Sequence, residues 1–360
     1  GQPVTIGAQA PAQVRILSLR ECGIEGPGLR ALNLDGWKGL RELDLSENNL
    51  EQTSNVTAYW SSLLHLQTLA MVHCNLDDES VAKICAADMP RLESLLLCRN
   101  RLTAVTLQAL WGQSLPSLES LDLADCNFAN FTGEQALTRH AMAAKWLASV
   151  PKLADLRLSR ASLSTEKLHW LHLETIGNLR RLDLANNPLG PNALDAFEDQ
   201  VLPHLTHLSL ENSLAPIPGQ LTLRPLVTEA VSMPNLESLR LTDTNLSEHN
   251  LFLDVALSAV TEHNNDAYVR GLVTTAACKI GTTAIFDCDK LTNISLCMVP
   301  DLTASRFALR AFPHLRHIVL DAFQEVAPLD VAFWASQAPR LRQIASGVAE
   351  EGFLLAPQYP

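Results

Sequence analysis

Aromatic residues make up only 5 % of this 360-residue chain, although 47 % of it is hydrophobic. Its core must therefore be filled mainly by aliphatic side chains. No apolar run is long enough for an ordinary transmembrane helix, which needs about 20 residues. The segment from Gly1 to Ala12 lacks the charged start and apolar stretch of a signal peptide. Positive charge is scarce too: 27 Lys and Arg stand against 39 Asp and Glu, a formal net charge of −12. That balance argues against nucleic acid or an anionic membrane as the main partner, and favours a basic one.

Paired cysteines are also missing. The eight cysteines (Cys22, Cys74, Cys85, Cys98, Cys126, Cys278, Cys288 and Cys297) form no C-x-x-C pair, so a zinc site of close ligand pairs has no support. Neither end carries a cysteine cluster that could close it with disulfides. The expectation is reduced thiols in an intracellular, reducing compartment. The sequons at Asn55, Asn130, Asn245 and Asn293 are then chance matches.

What is present is a repeat. Residues 40 to 50 read LRELDLSENNL, in which Leu40, Leu43, Leu45, Asn48 and Leu50 fit LxxLxLxxNxL. The same frame starts at Val14, Leu66, Leu92 and Leu118, so five successive starts are spaced by 26 residues. Cys22, Cys74 and Cys126 take the Asn position in alternate repeats, and Asn100 restores it. The frame continues at Leu153, with Ala161 at that position, and at Leu179, with Asn187. It goes on at Leu205 with Ser213 and at Leu236 with Thr244. After fading between residues 251 and 290 it returns more weakly at Leu291, Leu315 and Leu341.

The LxL core predicts a short strand whose alternate leucines point inward, with consecutive strands stacked into one parallel sheet. An Asn after the strand can donate to and accept from backbone groups that the bend would otherwise strand. Cysteine fits the same place as a small, weakly bonding hydrophobe. The remaining half of each repeat predicts a helix. Between Leu76 and Leu92, acidic residues open such a segment, Val81, Ile84 and Cys85 form its apolar stripe, and a proline follows. Trp60, Trp111, Trp146, Trp170 and Trp334 fall six to nine residues before the next repeat. They are expected to fill the core behind the sheet rather than to form a binding stripe.

These motifs resemble the leucine-rich-repeat family, particularly its ribonuclease-inhibitor-like and cysteine-containing branches. The resemblance implies an α/β fold: a right-handed solenoid, or horseshoe, with parallel strands on the concave face and helices on the convex face. It divides the chain into a flank of residues 1–13, a repeat domain of residues 14–347 with an irregular segment at 251–290, and a tail of residues 348–360. It also implies a protein ligand on the concave face, and a monomer is expected. The fold fixes no chemistry by itself.

Within the frame, the third, fifth, seventh and eighth positions are expected to face outward. Glu21, Glu42, Asp44 and Glu47 then make an acidic end, while Arg157, Arg160, Arg181 and Arg240 interleave with Asp155, Asp183 and Asp243. Two readings fit: a solvated sheet of weak cross-strand ion pairs, or an interface whose charges set specificity. Ala70, Val72, Leu96 and Cys98 form the one run of adjacent outward apolar residues. They are either incidental exposure or an anchor site. The candidate partner-binding residues are Val72, Leu96, Cys98, Arg99, Asp122, Asp155, Arg157, Arg160 and Arg181.

G-x-S-x-G, H-E-x-x-H and P-loop patterns are absent. Asp287-x-Asp289 is too short a pattern, with no nucleotide-binding domain around it, to predict a metal. The expectation is a binding module with no cofactor, metal or catalytic residue. An excess of Arg over Lys and an Ala- and Leu-laden composition without disulfide caps suggest the repeat arm of a bacterial effector in a host cytosol. Alternatives are an inhibitor of a basic enzyme or toxin, and the substrate arm of a ubiquitin ligase or a GTPase-activating protein.

Overall fold

The computed structural model describes residues 13–32, 34–51, 60, 62–131, 139–189, 196–197, 200–211, 213, 231–233, 235–242, 286–287, 293–297, 316–320, 340, 342–346 and 353–354. The chain divides into two compact units, one of residues 1–162 and 170–179, the other of residues 163–169 and 180–360.

In the first unit each LxL triplet becomes a three-residue strand. These are β1 (Ile16–Ser18), β2 (Glu42–Asp44), β3 (Thr68–Ala70), β4 (Ser94–Leu96), β5 (Ser120–Asp122) and β6 (Asp155–Arg157). Neighbours pair in parallel with Leu17, Leu43, Leu69, Leu95, Leu121 and Leu156 in one register row. From Leu43 onward these leucines are buried. A slip of one residue would turn every leucine outward, so the row itself fixes the register.

Strands β2 to β6 are entered through the same turn. The N–H of the leucine that opens the frame donates to the carbonyl three residues back: Leu92 to Met89, Leu118 to Leu115 and Leu153 to Val150, each at 3.1 Å. Pro90, Pro116 and Pro151 occupy the second place of these turns, where proline's fixed φ is already correct. The second unit repeats the device at Leu205, which donates to Leu202 across Pro203.

Four helices of the first unit are α1 (Gly26–Ala31), α2 (Asp78–Cys85), α3 (Ala104–Trp111) and α4 (Arg139–Ser149). The Asp77 side chain accepts from Ser80 N–H at 2.8 Å and opens α2. Thr103 does the same for α3 by accepting from Val105 N–H. Val81, Ile84 and Cys85 are buried, which is the expected stripe. Asp78 ties the two helices together. Its carboxylate accepts from Thr103 N–H at 2.8 Å, Thr103 Oγ1 at 2.7 Å, Thr106 N–H at 3.1 Å and the Thr106 hydroxyl. Trp60, Trp111 and Trp146 are buried as expected, and Trp111 meets Trp146 edge-on at 5.6 Å. Trp170 is half-buried, and Trp334 lies outside the described residues.

In the second unit β7 (Arg181–Asp183), β8 (Gln200–Val201), β9 (His207–Ser209), β10 (Val231–Ser232) and β11 (Ser238–Thr242) follow one another. Then come β12 (Phe286–Asp287), β13 (Asn293–Cys297), β14 (His317–Leu320), β15 (Gln343–Ser346) and β16 (Phe353–Leu354). Strands β7, β9, β11, β13, β14 and β15 pair in parallel in that order. Strand β16 runs antiparallel to β15, so part of the expected tail belongs to the sheet.

A second sheet departs from the expected pattern. Strands β8, β10 and β12 pair in parallel just ahead of the frames at Leu205, Leu236 and Leu291, where helix was expected. β-branched Val201 and Val231, each followed closely by an X-Pro step, hold the backbone extended. Of the segment 251–290, only Phe286 and Asp287 are described. The remainder, with Asp289 and most of the proline-rich stretch 211–225, lies outside the described residues.

Candidate functional site

In the first unit the ninth frame position forms an internal column, in which Asn48, Cys74, Asn100 and Cys126 are buried. Asn187, at the same frame position in the second unit, is buried too. Asn100 shows why. Its Oδ1 accepts from Cys74 N–H at 2.9 Å and Leu76 N–H at 3.0 Å. Its Nδ2 donates to Met71 O at 2.7 Å and Leu97 O at 2.8 Å. Asn48 makes the same set with Cys22, Ile24, Leu19 and Leu45. Each Asn thus serves its own repeat and the one before it. A cysteine can then stand between two asparagines: the Cys74 thiol faces carbonyls, Leu45 O at 3.1 Å and Val72 O at 3.5 Å. In the second unit Asn187 accepts from Leu163 N–H. Ser213 replaces Asn there, accepting from Asn187 N–H at 3.1 Å and donating to Leu184 O at 2.8 Å.

Just before this column runs a second row. Glu21, Glu47, His73, Arg99, Asp125 and Arg160 of the first unit all have φ between 53° and 59°, and Asn186 of the second has φ 57°. Left-handed backbone costs roughly 1 kcal/mol or more per non-glycine residue. It continues the ladder past the strand: Glu47 N–H reaches Val72 O, His73 N–H reaches Cys98 O, and Arg99 N–H reaches Ala124 O, at 2.8, 3.0 and 2.9 Å. The same turn throws each side chain out to the rim. A signal for this row was present in the sequence, because in the nine frames that start from Val14 to Leu236 the eighth position holds no β-branched residue.

The rim side chains pair along the row. Glu47 lies 2.7 Å from His73 Nδ1 and 3.4 Å from Arg20. The His73 hydrogen bond, ahead of the charges of His73, Arg20 and Arg99, holds the Glu47 carboxyl below its ordinary value. Asp125 takes Arg99 at 3.4 Å on one oxygen and Arg160 at 3.7 Å on the other. Arg101 reaches Glu51 at 3.3 Å. Together these residues border an open groove of about 810 Å³, lined by Glu47, His73, Arg99, Arg101, Asp125 and Arg160. Amides of Asn48, Asn49, Asn75 and Asn100 complete its lining.

The sheet face beside the groove differs from its expected form at the seventh position. Ser46 is buried and its Oγ accepts from Val72 N–H, while Val72 and Cys98 are half-buried. The chain has already begun to bend there, so this position turns partly inward. Leu96 is half-buried and Ala70 buried; the large apolar side chains well exposed among the described residues are Ile16, Leu64, Val105, Leu147 and Val201. Burial, and then the Asp122 carboxylate, push the Cys98 thiol up to about 11, so it stays protonated at neutral pH.

Asp122 is only 8 % exposed, and its Oδ1 accepts from Ala124 N–H at 2.9 Å. Asp44 and Asp183 close their strands by the same bond, to Ser46 and Ala185. Local backbone thus occupies one oxygen of an aspartate that the frame placed outward. Its other oxygen lies 3.9 Å from Arg157, which also reaches Asp155 at 3.4 Å. The structure therefore brings Val72, Leu96, Cys98, Arg99, Asp122, Asp155, Arg157 and Arg160 together on one unit, whereas Arg181 lies on β7 of the other. Sequence reading set Glu47, His73 and Asp125 on the outward face but left them out of the candidate residues, and it did not place Arg101 there.

Residues 62–85 match a family model described as Leucine Rich repeat, and residues 178–199 match another described as Leucine Rich Repeat. Both matches fall on segments that the frame had marked. These two segments are leucine-rich repeats. No curated protein matches the chain. Among solved structures, an internalin (inlF) from Listeria monocytogenes is similar at 13 % identity, over 88 % of this chain and 70 % of that one, with a TM-score of 0.42. Internalin C2 of the same organism is 15 % identical over 81 % and 83 % of the two chains, with a TM-score of 0.37. A chain of the yeast Rad7 and Elc1 complex is 17 % identical over 96 % and 79 %, with a TM-score of 0.48. Among the described residues no cluster of His, Cys, Asp and Glu could hold a metal, and no helix is long and apolar enough to cross a membrane.

Proposed function

We propose that this leucine-rich-repeat protein is a protein–protein interaction module, and that the outward face of strands β1 to β6 with its rim holds the ligand. One observation carries the reading. Arg99, Arg157 and Arg160 keep 58 %, 49 % and 58 % of their side-chain surface exposed, although each is aimed by a carboxylate on its own or an adjoining strand. Guanidinium groups held in place this way lose little freedom on binding, which is what a recognition surface needs. Half-buried Val72, Leu96 and Cys98 lie among them as the apolar part of the same face.

Binding rather than catalysis is the use that this surface fits, since its charges sit in pairs on an open wall. We also propose a reducing compartment: Cys22, Cys74, Cys85, Cys98 and Cys126 are all free thiols. The role of an effector inside a host cell rests on composition and is part of this proposal. Translocation of a reporter fusion from a bacterium into cultured cells tests it, and retention of the reporter in the bacterium would remove it.

The module is tested by isolating a partner with the intact protein and measuring its affinity for Leu96→Glu and for Arg157→Glu, each with unchanged melting. A loss of tenfold or more, about 1.4 kcal/mol, is expected from each. Affinity equal to the unsubstituted protein in both would move the site off this wall.

A further inference from the structure

The rim groove has a charge of its own. The chain as a whole carries −12, yet three guanidiniums face two carboxylates across the groove lining, with His73 beside them. Counting the outer partners does not reverse this, because Arg20 joins Glu47 and Glu51 joins Arg101. The arginines also have donors to spare. Each guanidinium offers five N–H groups in a planar fork. Among the described residues, Arg99 uses one on Asp125 at 3.4 Å and Arg101 uses one on Glu51 at 3.3 Å. Arg160 approaches Asp125 only at 3.7 Å.

The geometry is unlike that of a casual surface patch. Arg99 and Arg160 stand at the same place in the frame, both left-handed at φ 59° and 53°. Asp125, at the same frame position in the repeat between them, takes one guanidinium on each oxygen. A shared carboxylate of this kind positions two cations without neutralising both. The left-handed turn that continues the backbone ladder also lifts these charged side chains to the rim.

We propose that this groove binds an extended, acidic segment of the protein partner, with Arg99 and Arg160 each receiving a carboxylate and Asp125 holding the two apart. Two strand spacings separate the arginines, roughly 10 Å. An extended segment in the polyproline-II conformation returns to the same face every three residues, about 9 Å along the chain, so the fitting segment carries Asp or Glu three residues apart. Asn49 and Asn75 offer amides to its backbone, and Arg101 widens the positive end. The partner's docking element is thereby acidic although the net charge of this chain favours a basic one. Local field at the groove outranks the distant charges once screening limits each to about 8–10 Å.

This inference rests on the module reading above, and the experiment separates the two. The probes are fluorescent decapeptides with Glu at three-residue spacing, the same peptide with Gln, and the same with Lys, titrated into the full chain at low salt. The Glu peptide is expected to bind at least tenfold more tightly than the Gln and Lys peptides. Arg99→Glu with Arg160→Glu should abolish that preference. Arg91→Glu with Lys152→Glu, an equal charge change at exposed positions off the groove, should leave it within twofold. Equal binding of Glu and Gln peptides, tighter binding of the Lys peptide, or an equal loss in both double variants would overturn the groove proposal. Leu96→Glu decides the module separately: if it releases the isolated partner while the Glu peptide fails, the wall stands and the groove falls.

Discussion

Replacing Asn100 by leucine tests the reasoning behind the whole ladder. The amide makes four bonds of 3.0 Å or less, two to backbone N–H groups and two to backbone carbonyls, at a site 7 % exposed. Leucine matches its size and offers none of them. Carbonyl oxygens keep a second lone pair, so the larger loss lies with the Cys74 and Leu76 N–H groups. Each buried donor left unmade costs about 1–3 kcal/mol; two cost about 2–6. The gain from an added apolar side chain offsets about 1.5–3 kcal/mol, leaving a net loss of about 2. Asn100→Ser supplies a control that the molecule itself suggests, since Ser213 fills the equivalent position with one accepted and one donated bond. Urea unfolding followed by far-UV circular dichroism should rank wild type above Asn100→Ser and Asn100→Ser above Asn100→Leu. A stability of Asn100→Leu within about 0.5 kcal/mol of wild type, or below which Asn100→Ser falls, would refute the ladder account.

Asp78→Ala should cost about 2 kcal/mol in the same assay, because it strips two N–H groups and two hydroxyls of their acceptor at once; Thr106→Val, which removes one hydroxyl, should cost about half as much. In native protein, a thiol reagent at neutral pH should modify exposed Cys22 while sparing Cys85 and Cys126, whose thiols burial pushes up to about 12. Because those folded-state values lie above the ordinary 9.0, the native state holds its protons longer than the unfolded chain. The stability they contribute is complete below pH 9 and falls as pH rises towards 12. Alkaline denaturation of Cys85→Ala should show a shallower decline over that window; an unchanged slope would count against buried, protonated Cys85.

Most of the fold was legible because it is written in a local pattern repeated many times. The frame LxxLxLxxN encodes a strand period of two, then a bend, and its repetition at 26 residues demands stacking, since no single repeat can bury its own leucines. The roles of Asn48 and Asn100 followed from hydrogen-bonding capacity alone. The helical stripe of Val81, Ile84 and Cys85 followed from its spacing. Where the local signal changed, as at Val201 and Val231 ahead of proline, the helix expectation failed and short strands took its place.

The binding surface was only half legible, and the reason is geometric. Sequence fixed which residues share a strand face, but treated the eighth position as a further outward residue and the seventh as its equal. Only the folded backbone shows that the seventh turns inward with Ser46, while the eighth flips left-handed and lifts Glu47, His73, Arg99, Asp125 and Arg160 to a common rim. The pairing of one Asp125 with two arginines depends on side chains 26 and 35 residues apart in sequence. Charge partners at such separations are set by stacking distance and rotamer, which no periodicity encodes. Composition determined an acidic chain; tertiary structure decided that its groove is lined by more guanidiniums than carboxylates.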